Sequence, residues 1–308
     1  MNHNLLPTYS KTKINQILKN RDLEDIDTIT YIEKFLISKR GYVFKIPLPN
    51  TPVILLYSGG LDSTIIWMYL MKVYNLIVYP LVLIRKESLF PYFSLQAKSI
   101  RYYSKLLKTQ YPKLYQPPFI AKYYTPQPKI KQLILKHSLN SPTFLLNQYN
   151  PDTNIIGYES WGQTTTFSSV ALDYLRLLQI QHNQEVNTVF SASTSSDGLG
   201  IQHQTLTAHR LAMLNLCVSA QQYQLQFCSP AIEPQINTFI GKSELVEWAK
   251  KNNLDLKRTD SCDRNRYFHC GQCTGCYGRI YWQQLAKYQD KTFYLKPSID
   301  KLRKNLFN

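Results

Sequence analysis

The stretch "VILLYSGGLDSTIIWMYL", residues 53–70, decides the fold. Its apolar run Val53–Tyr57 is interrupted by Ser58, Gly59, Gly60, Leu61, Asp62, Ser63 and Thr64, after which apolar residues resume at helical spacing. The pattern predicts a buried strand, a tight turn and a helix from about Asp62 to Tyr74. A second apolar run, Leu76–Ile84, follows at once. Strand, helix and strand in so short a compass force a parallel crossover, which predicts an α/β fold with a doubly wound parallel sheet. Later segments repeat the alternation: helices over Thr164–Gln181, Thr205–Gln222 and Ser243–Lys251, strands over Val186–Ala192 and Leu225–Ser229. No internal repeat is found.

The interruption is itself informative. At a strand's tip, two adjacent glycines allow backbone conformations that a Cβ forbids and let an anion approach the N–H groups closely. The helix that follows adds unpaired donors and the positive end of its dipole, so the turn reads as a phosphate cradle. Ser58, Ser63 and Thr64 add hydroxyls. The glycine loop ending in Lys-Ser or Lys-Thr is absent, as is the spaced three-glycine dinucleotide fingerprint, so another kind of nucleotide loop is indicated. Ser58, Gly59, Gly60, Leu61, Asp62 and Ser63 are the candidate nucleotide-binding residues.

Near the other end stands "SCDRNRYFHCGQCTGCYGR", with Cys262, Cys270, Cys273 and Cys276 inside one short loop. Four thiols so spaced suit tetrahedral Zn²⁺ in a closed structural site. An iron–sulfur cluster and a coincidental cluster of reduced thiols are the alternatives, and His269 is a substitute ligand. The chain has 6 cysteines in 308 residues, too few for a secreted disulfide scaffold.

At 44% hydrophobic, the chain can bury a full core, which argues against disorder. No stretch reaches the roughly 20 apolar residues of a membrane helix, and residues 1–13 lack the apolar block of a signal peptide; a cytoplasmic location and no membrane partner are expected. The formal charge of +16 attracts phosphate-rich partners. Much of it falls in residues 89–150, which hold nine Lys or Arg, eight Tyr and no Asp or Glu. Interleaved tyrosines could stack on bases while the cations meet phosphates; a cationic helix pair on the surface whose tyrosines pack against the sheet is the alternative. The prolines of this stretch suggest an irregular insertion. Three parts are expected: 1–50 as an N-terminal cap or extension, 51–255 as the nucleotide-binding α/β domain, and 256–308 as a zinc-binding C-terminal segment.

The string Ser-Gly-Gly-Leu-Asp-Ser after an apolar strand resembles the PP-loop of the ATP pyrophosphatases, of adenine nucleotide alpha hydrolase-like fold. Joined to the four-cysteine loop, it resembles the 7-cyano-7-deazaguanine synthase family (QueC) over roughly residues 53–285. "FSASTSSD", 190–197, fits that family's later strand ending in an Asp. "GKSELVEWAKKNNLDLKRTDSC", 241–262, fits its Lys and its Thr-x-Ser-Cys turn, and Arg279 follows the last cysteine as expected. The family's Tyr-Gly-Gln turn is replaced here by residues 84–88, and its Pro-Gly-Arg-Asn turn by 161–164.

The resemblance implies an ATP-dependent C–N ligase that forms AMP and pyrophosphate, activating a 7-deazaguanine carboxylate for attack by ammonia. It implies catalytic roles for Asp62, Lys242 and Asp197, with Mg²⁺, and substrate contacts from Trp161, Gln163 and Arg279. A surface lysine, a loop-turn aspartate and a buried tryptophan are the plain alternatives for Lys242, Asp197 and Trp161. Because the substrate-side turns diverge, transfer of a deazapurine to a protein or nucleic-acid acceptor, as in antiviral defence, stays open, as does a PP-loop tRNA-modifying activity. The family often forms homodimers.

Overall fold

Strand β1 (Pro52–Leu56) lies at the centre of a five-stranded sheet, with Val53, Ile54 and Leu55 fully buried. In a computed structural model the described residues are 5–85, 94–123, 149–150, 155–156, 163–182, 185–262 and 267–295. From β1 the chain enters helix α3 (Leu61–Tyr74) and returns as β2 (Ile77–Arg85), parallel to β1 in the register Pro52↔Ile77 to Leu56↔Leu81. Helix α4 (Leu95–Gln110) leads to the edge strand β3 (Phe119–Tyr123). A two-residue antiparallel pair, β4 (Tyr149–Asn150) with β5 (Ile155–Ile156), lies apart from this sheet.

Helix α5 (Gln163–His182) then carries the chain to β6 (Thr188–Phe190) on the other side of β1. Helix α6 (Leu206–Ala220) and β7 (Gln226–Cys228) complete the sheet, in the order β3-β2-β1-β6-β7 with every pair parallel. The order reverses between β1 and β6, so the sheet is doubly wound. Crevices at such a switch point, beyond the strands' carboxyl ends, are where ligands of open α/β sheets bind. The architecture is the one the sequence pattern predicts.

Helix α3 is apolar all round because it is covered on two sides. Trp67 packs edge-on to Tyr57 at the sheet, 4.8 Å between ring centroids, while Tyr69 meets Trp248 of α7 (Lys242–Lys251) at 5.2 Å. Helix α8 (Thr274–Leu285) follows the cysteine loop.

One sequence expectation changes. Residues 95–123 are not an irregular insertion: Ser94 caps α4 by accepting from the Ala97 N–H at 3.1 Å, and α4 with β3 forms a second βαβ unit. Their tyrosines divide, with Tyr103 buried and Tyr102 exposed. Residues 124–148 lie outside the described residues. Residues 5–50 pack against the rest of the chain. Leu6, Ile32, Leu36, Val43 and Phe44 belong to the same core as the sheet, and α1 (Lys11–Lys19) with α2 (Ile26–Arg40) builds a second small core with Leu206, Ile232 and Phe239. Arg40 donates to the carbonyls of Tyr223 and Leu225 at 2.8 and 2.6 Å, tying α2 to the entry of β7. Among the described residues no helix is long and apolar enough to cross a membrane.

Fully buried Arg210 on α6 meets both oxygens of buried Glu233, at 2.8 and 2.7 Å, and Glu33 of α2 at 2.8 Å. Removing one partner strands a buried charge, which typically costs about 3–5 kcal/mol. Urea unfolding of Arg210→Leu is expected to show a loss of about that size, and Arg210→Leu with Glu233→Leu to recover most of it.

Candidate functional site

The turn after β1 is held from outside. Gly59 has φ +76°, a left-handed value that glycine adopts without steric cost, and a Cβ there would stand 3.3 Å from the Gln96 carbonyl oxygen. Its carbonyl accepts from the Ser99 hydroxyl at 2.6 Å and from the Asp260 N–H at 2.8 Å. The Gln96 side-chain amide donates to the Ser58 carbonyl at 3.0 Å. Helix α4 and residue 260 thus fix the carbonyls of 58 and 59. Inside the turn, Ser58 Oγ accepts from Gly60 N–H at 3.1 Å and lies 3.0 Å from Ser63 Oγ.

Gly60 is the N-cap of α3 and supplies no capping side chain, so the N–H groups of Leu61, Asp62 and Ser63 face outward without intrahelical acceptors. That end of the helix favours an anion. Leu61 serves through its backbone, since its side chain is in the core.

Lys242 opens α7 beside this turn. Its Nζ lies 2.7 Å from Asp197 Oδ1 and 3.2 Å from Asp62 Oδ2. The structure therefore gathers three residues separated by 180 positions in sequence. Asp197 is fixed by Thr194, whose N–H and hydroxyl donate to Oδ2 at 2.9 and 2.8 Å. Burial pushes the Asp62 carboxyl up, the Lys242 ammonium pulls it back and Asp197 pushes it up again, leaving it at about 6. Burial would lower the Lys242 ammonium, but the two carboxylates outweigh it and raise it. Asp62 Oδ1 is buried without a hydrogen-bond partner. Such an orphaned oxygen, with Asp197 close by, fits a hard divalent cation such as Mg²⁺.

Turn and lysine line one cavity of about 390 Å³ at the carboxyl ends of the strands. Leu56, Leu81, Leu83, Tyr123 and Phe167 give it an apolar wall, and Gln163, Ser191 and His203 polar points. Burial lowers the His203 imidazole despite nearby Asp197. Ser191 is 2.7 Å from His209 Nε2, while His209 Nδ1 is 2.8 Å from the Thr205 carbonyl oxygen, an acceptor. Nδ1 therefore carries the proton and the Ser191 hydroxyl donates to Nε2.

The four cysteines converge, with each Sγ within 4.8 Å of every other. Cys262–Cys273 and Cys270–Cys276 are 3.9 and 4.0 Å apart. Sulfurs about 2.3 Å from one ion stand about 3.8 Å apart at tetrahedral angles. The N–H groups of Cys270, Gln272 and Cys276 each approach a cysteine sulfur at 3.4 Å and favour the thiolate. The set can hold a metal. Buried His269 is not among the gathered ligands.

Arg279 does not line the cavity. It is buried and donates to the Leu256 carbonyl at 2.6 Å, the Thr259 carbonyl at 3.2 Å and Thr292 Oγ1 at 2.8 Å, clamping the turn that ends at Cys262. Gln163 does line it, at the start of α5; Trp161 lies outside the described residues, as do 86–88 of the divergent turns. Sequence reasoning missed Ser99, Gln96 and Asp260, which hold the loop, and Ser191 with His209. A small polar residue on the inner face of an amphipathic helix, as Ser99 is beside Ile100, Tyr103 and Leu107, was the available signal.

No family model and no curated protein matches the chain. Among solved structures it is similar to the U34-tRNA thiolase NcsA of Methanococcus maripaludis with its [4Fe-4S] cluster, at 12% identity and TM-score 0.37 over 90% of this chain and 73% of that one. It is similar to the NMN synthetase of Francisella tularensis at 11% identity and TM-score 0.36, over 96% and 92% of the two chains. It is also similar to the NH3-dependent NAD synthetase of Campylobacter jejuni at 13% identity and TM-score 0.33, over 97% and 96%.

A carboxyl raised in the folded state holds a proton that the unfolded chain has lost, so its contribution to stability falls as pH rises from about 4 to about 6. In urea unfolding at pH 4.5, 5.5 and 6.5, the stability of the wild type relative to Asp62→Asn is expected to decline over this window and level off above it.

Proposed function

We propose that this chain is an ATP-dependent C–N ligase of the AMP- and pyrophosphate-forming type, acting on the carboxylate of a 7-deazaguanine. The observation that carries the reading is Lys242, held between Asp62 and Asp197 beside the open N–H groups of the glycine turn. The turn at 58–63 grips the β and γ phosphates. A substrate carboxylate oxygen attacks the α phosphorus, and the bond to the bridging oxygen breaks as pyrophosphate leaves with its electron pair. Ammonia then attacks the acyl carbon, AMP leaves, and the nitrogen loses its extra proton to give the amide. A second round of activation dehydrates the amide to a nitrile.

Each chain residue has a share in this. The N–H groups of 61–63 and the Lys242 ammonium oppose the negative charge that builds on the leaving pyrophosphate, where preorganised donors act with most effect. Mg²⁺ held by Asp62 and Asp197 would neutralise phosphate charge. The wall of Leu56, Leu81, Leu83 and Phe167 keeps water from a hydrolysable acyl adenylate. Ser191, its proton committed to His209, presents lone pairs to a ligand N–H.

The cysteine loop is read as a single structural Zn²⁺. The four irons of a cubane cluster each take one thiolate and spread them more widely than one ion does, whereas these sulfurs lie within 4.8 Å.

Incubation with ATP, Mg²⁺ and 7-carboxy-7-deazaguanine is expected to release AMP and pyrophosphate, with amide or nitrile seen by mass spectrometry only when ammonium is supplied. ADP with inorganic phosphate overturns the reading, and a mass gain on a macromolecule in place of a free product moves the acceptor away from ammonia. Lys242→Ala is expected to lower kcat/KM at least about 100-fold, the scale of one lost donor to a developing anion. Metal analysis is expected to find one zinc per chain and no iron, and Cys273→Ala to lower the Tm by several degrees.

A further inference from the structure

Helix α4 has two faces of opposite use. Gln96, Ser99, Ile100, Tyr103 and Leu107 turn inward, the first two onto the phosphate loop and the rest into the core. At 100° per residue, Lys98, Arg101, Tyr102, Lys105 and Lys108 fall within one arc of about 120° on the opposite side, and all five are exposed. No acidic residue occurs anywhere in 89–150, so the helix supplies no carboxylate of its own. Among the described residues Lys98, Lys105 and Lys108 make no ion pair. The guanidinium of Arg258, also exposed, lies 5.5 Å from the Tyr102 ring centroid and extends the patch onto the loop after α7.

A solvated cationic helix normally carries interspersed acids; a single-sign row is instead a field that attracts a polyanion. An acidic protein surface would satisfy the lysines alone. Tyr102 distinguishes the two: an exposed ring set in a row of cations offers a base a stacking platform while its neighbours meet phosphates, the combination by which single strands are bound without sequence readout. We propose that the outer face of α4, with Arg258, is a docking surface for a single-stranded nucleic acid. Because the same helix grips the phosphate loop from its inner face, the docked strand lies about one helix diameter, ~10 Å, from the nucleotide cavity. The proposal does not rest on which carboxylate the cavity activates.

The test uses the full chain and 5′-fluorescein 20-nucleotide RNA and DNA of mixed sequence, by anisotropy at 50 and 200 mM KCl. Lys98→Ser/Lys105→Ser/Lys108→Ser is expected to weaken binding at least 10-fold at 50 mM and to flatten the slope of log affinity against log salt by about 2, since each phosphate contact on a single strand contributes about 0.7. Tyr102→Ala is expected to weaken binding at least fivefold with the slope unchanged. The control Lys11→Ser/Lys13→Ser/Lys19→Ser, which removes equal charge from α1, is expected to bind within twofold of the wild type. Equal weakening by the two triple variants means that net charge alone is at work and overturns the surface, as does displacement of the strand by polyglutamate at matched charge. RNA preferred over DNA, or the two bound alike, both support it. Pyrophosphate release with the deazaguanine acid, measured on the same variants, is expected to be unchanged, so loss of that activity in the wild type bears on the proposed reaction and not on the docking surface.

Discussion

The left-handed turn at Gly59 is the constraint from which the site follows. It reverses the chain at the tip of β1 in two residues, which lets α3 begin with its first N–H groups turned to the cavity. A backbone in that conformation exposes carbonyls as well, and an unpaired carbonyl beside an anion would oppose binding. The structure removes them: Ser99 and Asp260 occupy the Gly59 oxygen and Gln96 the Ser58 oxygen. Substitution at Gly59 fails twice over, by a φ near the limit for an L-residue and by a Cβ pressed on α4.

Charge is the second requirement. Asp62, Asp197 and Lys242 together leave one net negative charge next to the loop, while His203, disfavoured as a cation by burial, does not offset it. On the proposed reading, that charge would oppose a triphosphate held by backbone donors alone. Burial raises the Asp62 carboxyl and leaves its Oδ1 without a hydrogen-bond partner, and a divalent ion there would offset both. Lysine is suited to the middle position because a compact ammonium can move between carboxylate and phosphate partners on a flexible stem.

How far the sequence could be read depends on whether the signal was local. The β1 turn, the alternation of elements and the cysteine spacing are local, and the structure places them where residues 53–74, 77–85 and 262–276 predict. Pairing Lys242 with Asp62 needed the fold to bring α7 beside α3, which no spacing shows. Arg279 illustrates the opposite case: an arginine after a metal loop has the chemistry of a phosphate ligand, yet its donors go to carbonyls of residues 256 and 259. Pro112, Pro117 and Pro118 fall in the connection between α4 and β3, and they obscured the edge strand that follows them. Residues 5–50 join the core through apolar residues on the inner faces of their elements, Leu6, Ile32, Leu36, Val43 and Phe44 among them.

The cysteine loop and the glycine turn are remote in sequence and adjoining in space, so on the proposed reading a metal in one would bear on a nucleotide in the other. Asp260, two residues before the first cysteine, bridges Gly60 and donates to the Gly59 carbonyl, and its carboxylate accepts from the Cys262 N–H at 3.2 Å. Arg279, three residues after the last cysteine, fixes the 256–259 turn that delivers Asp260. A segment with few buried apolar residues lacks the hydrophobic area to hold such a position by itself, and binding of an ion to four thiolates supplies folding free energy directly. On the proposed reading, a metal in the cysteine loop would act on ATP without touching it: it would order the strand of backbone that closes the outer side of the glycine turn, and so set how firmly the donors on the inner side are aimed.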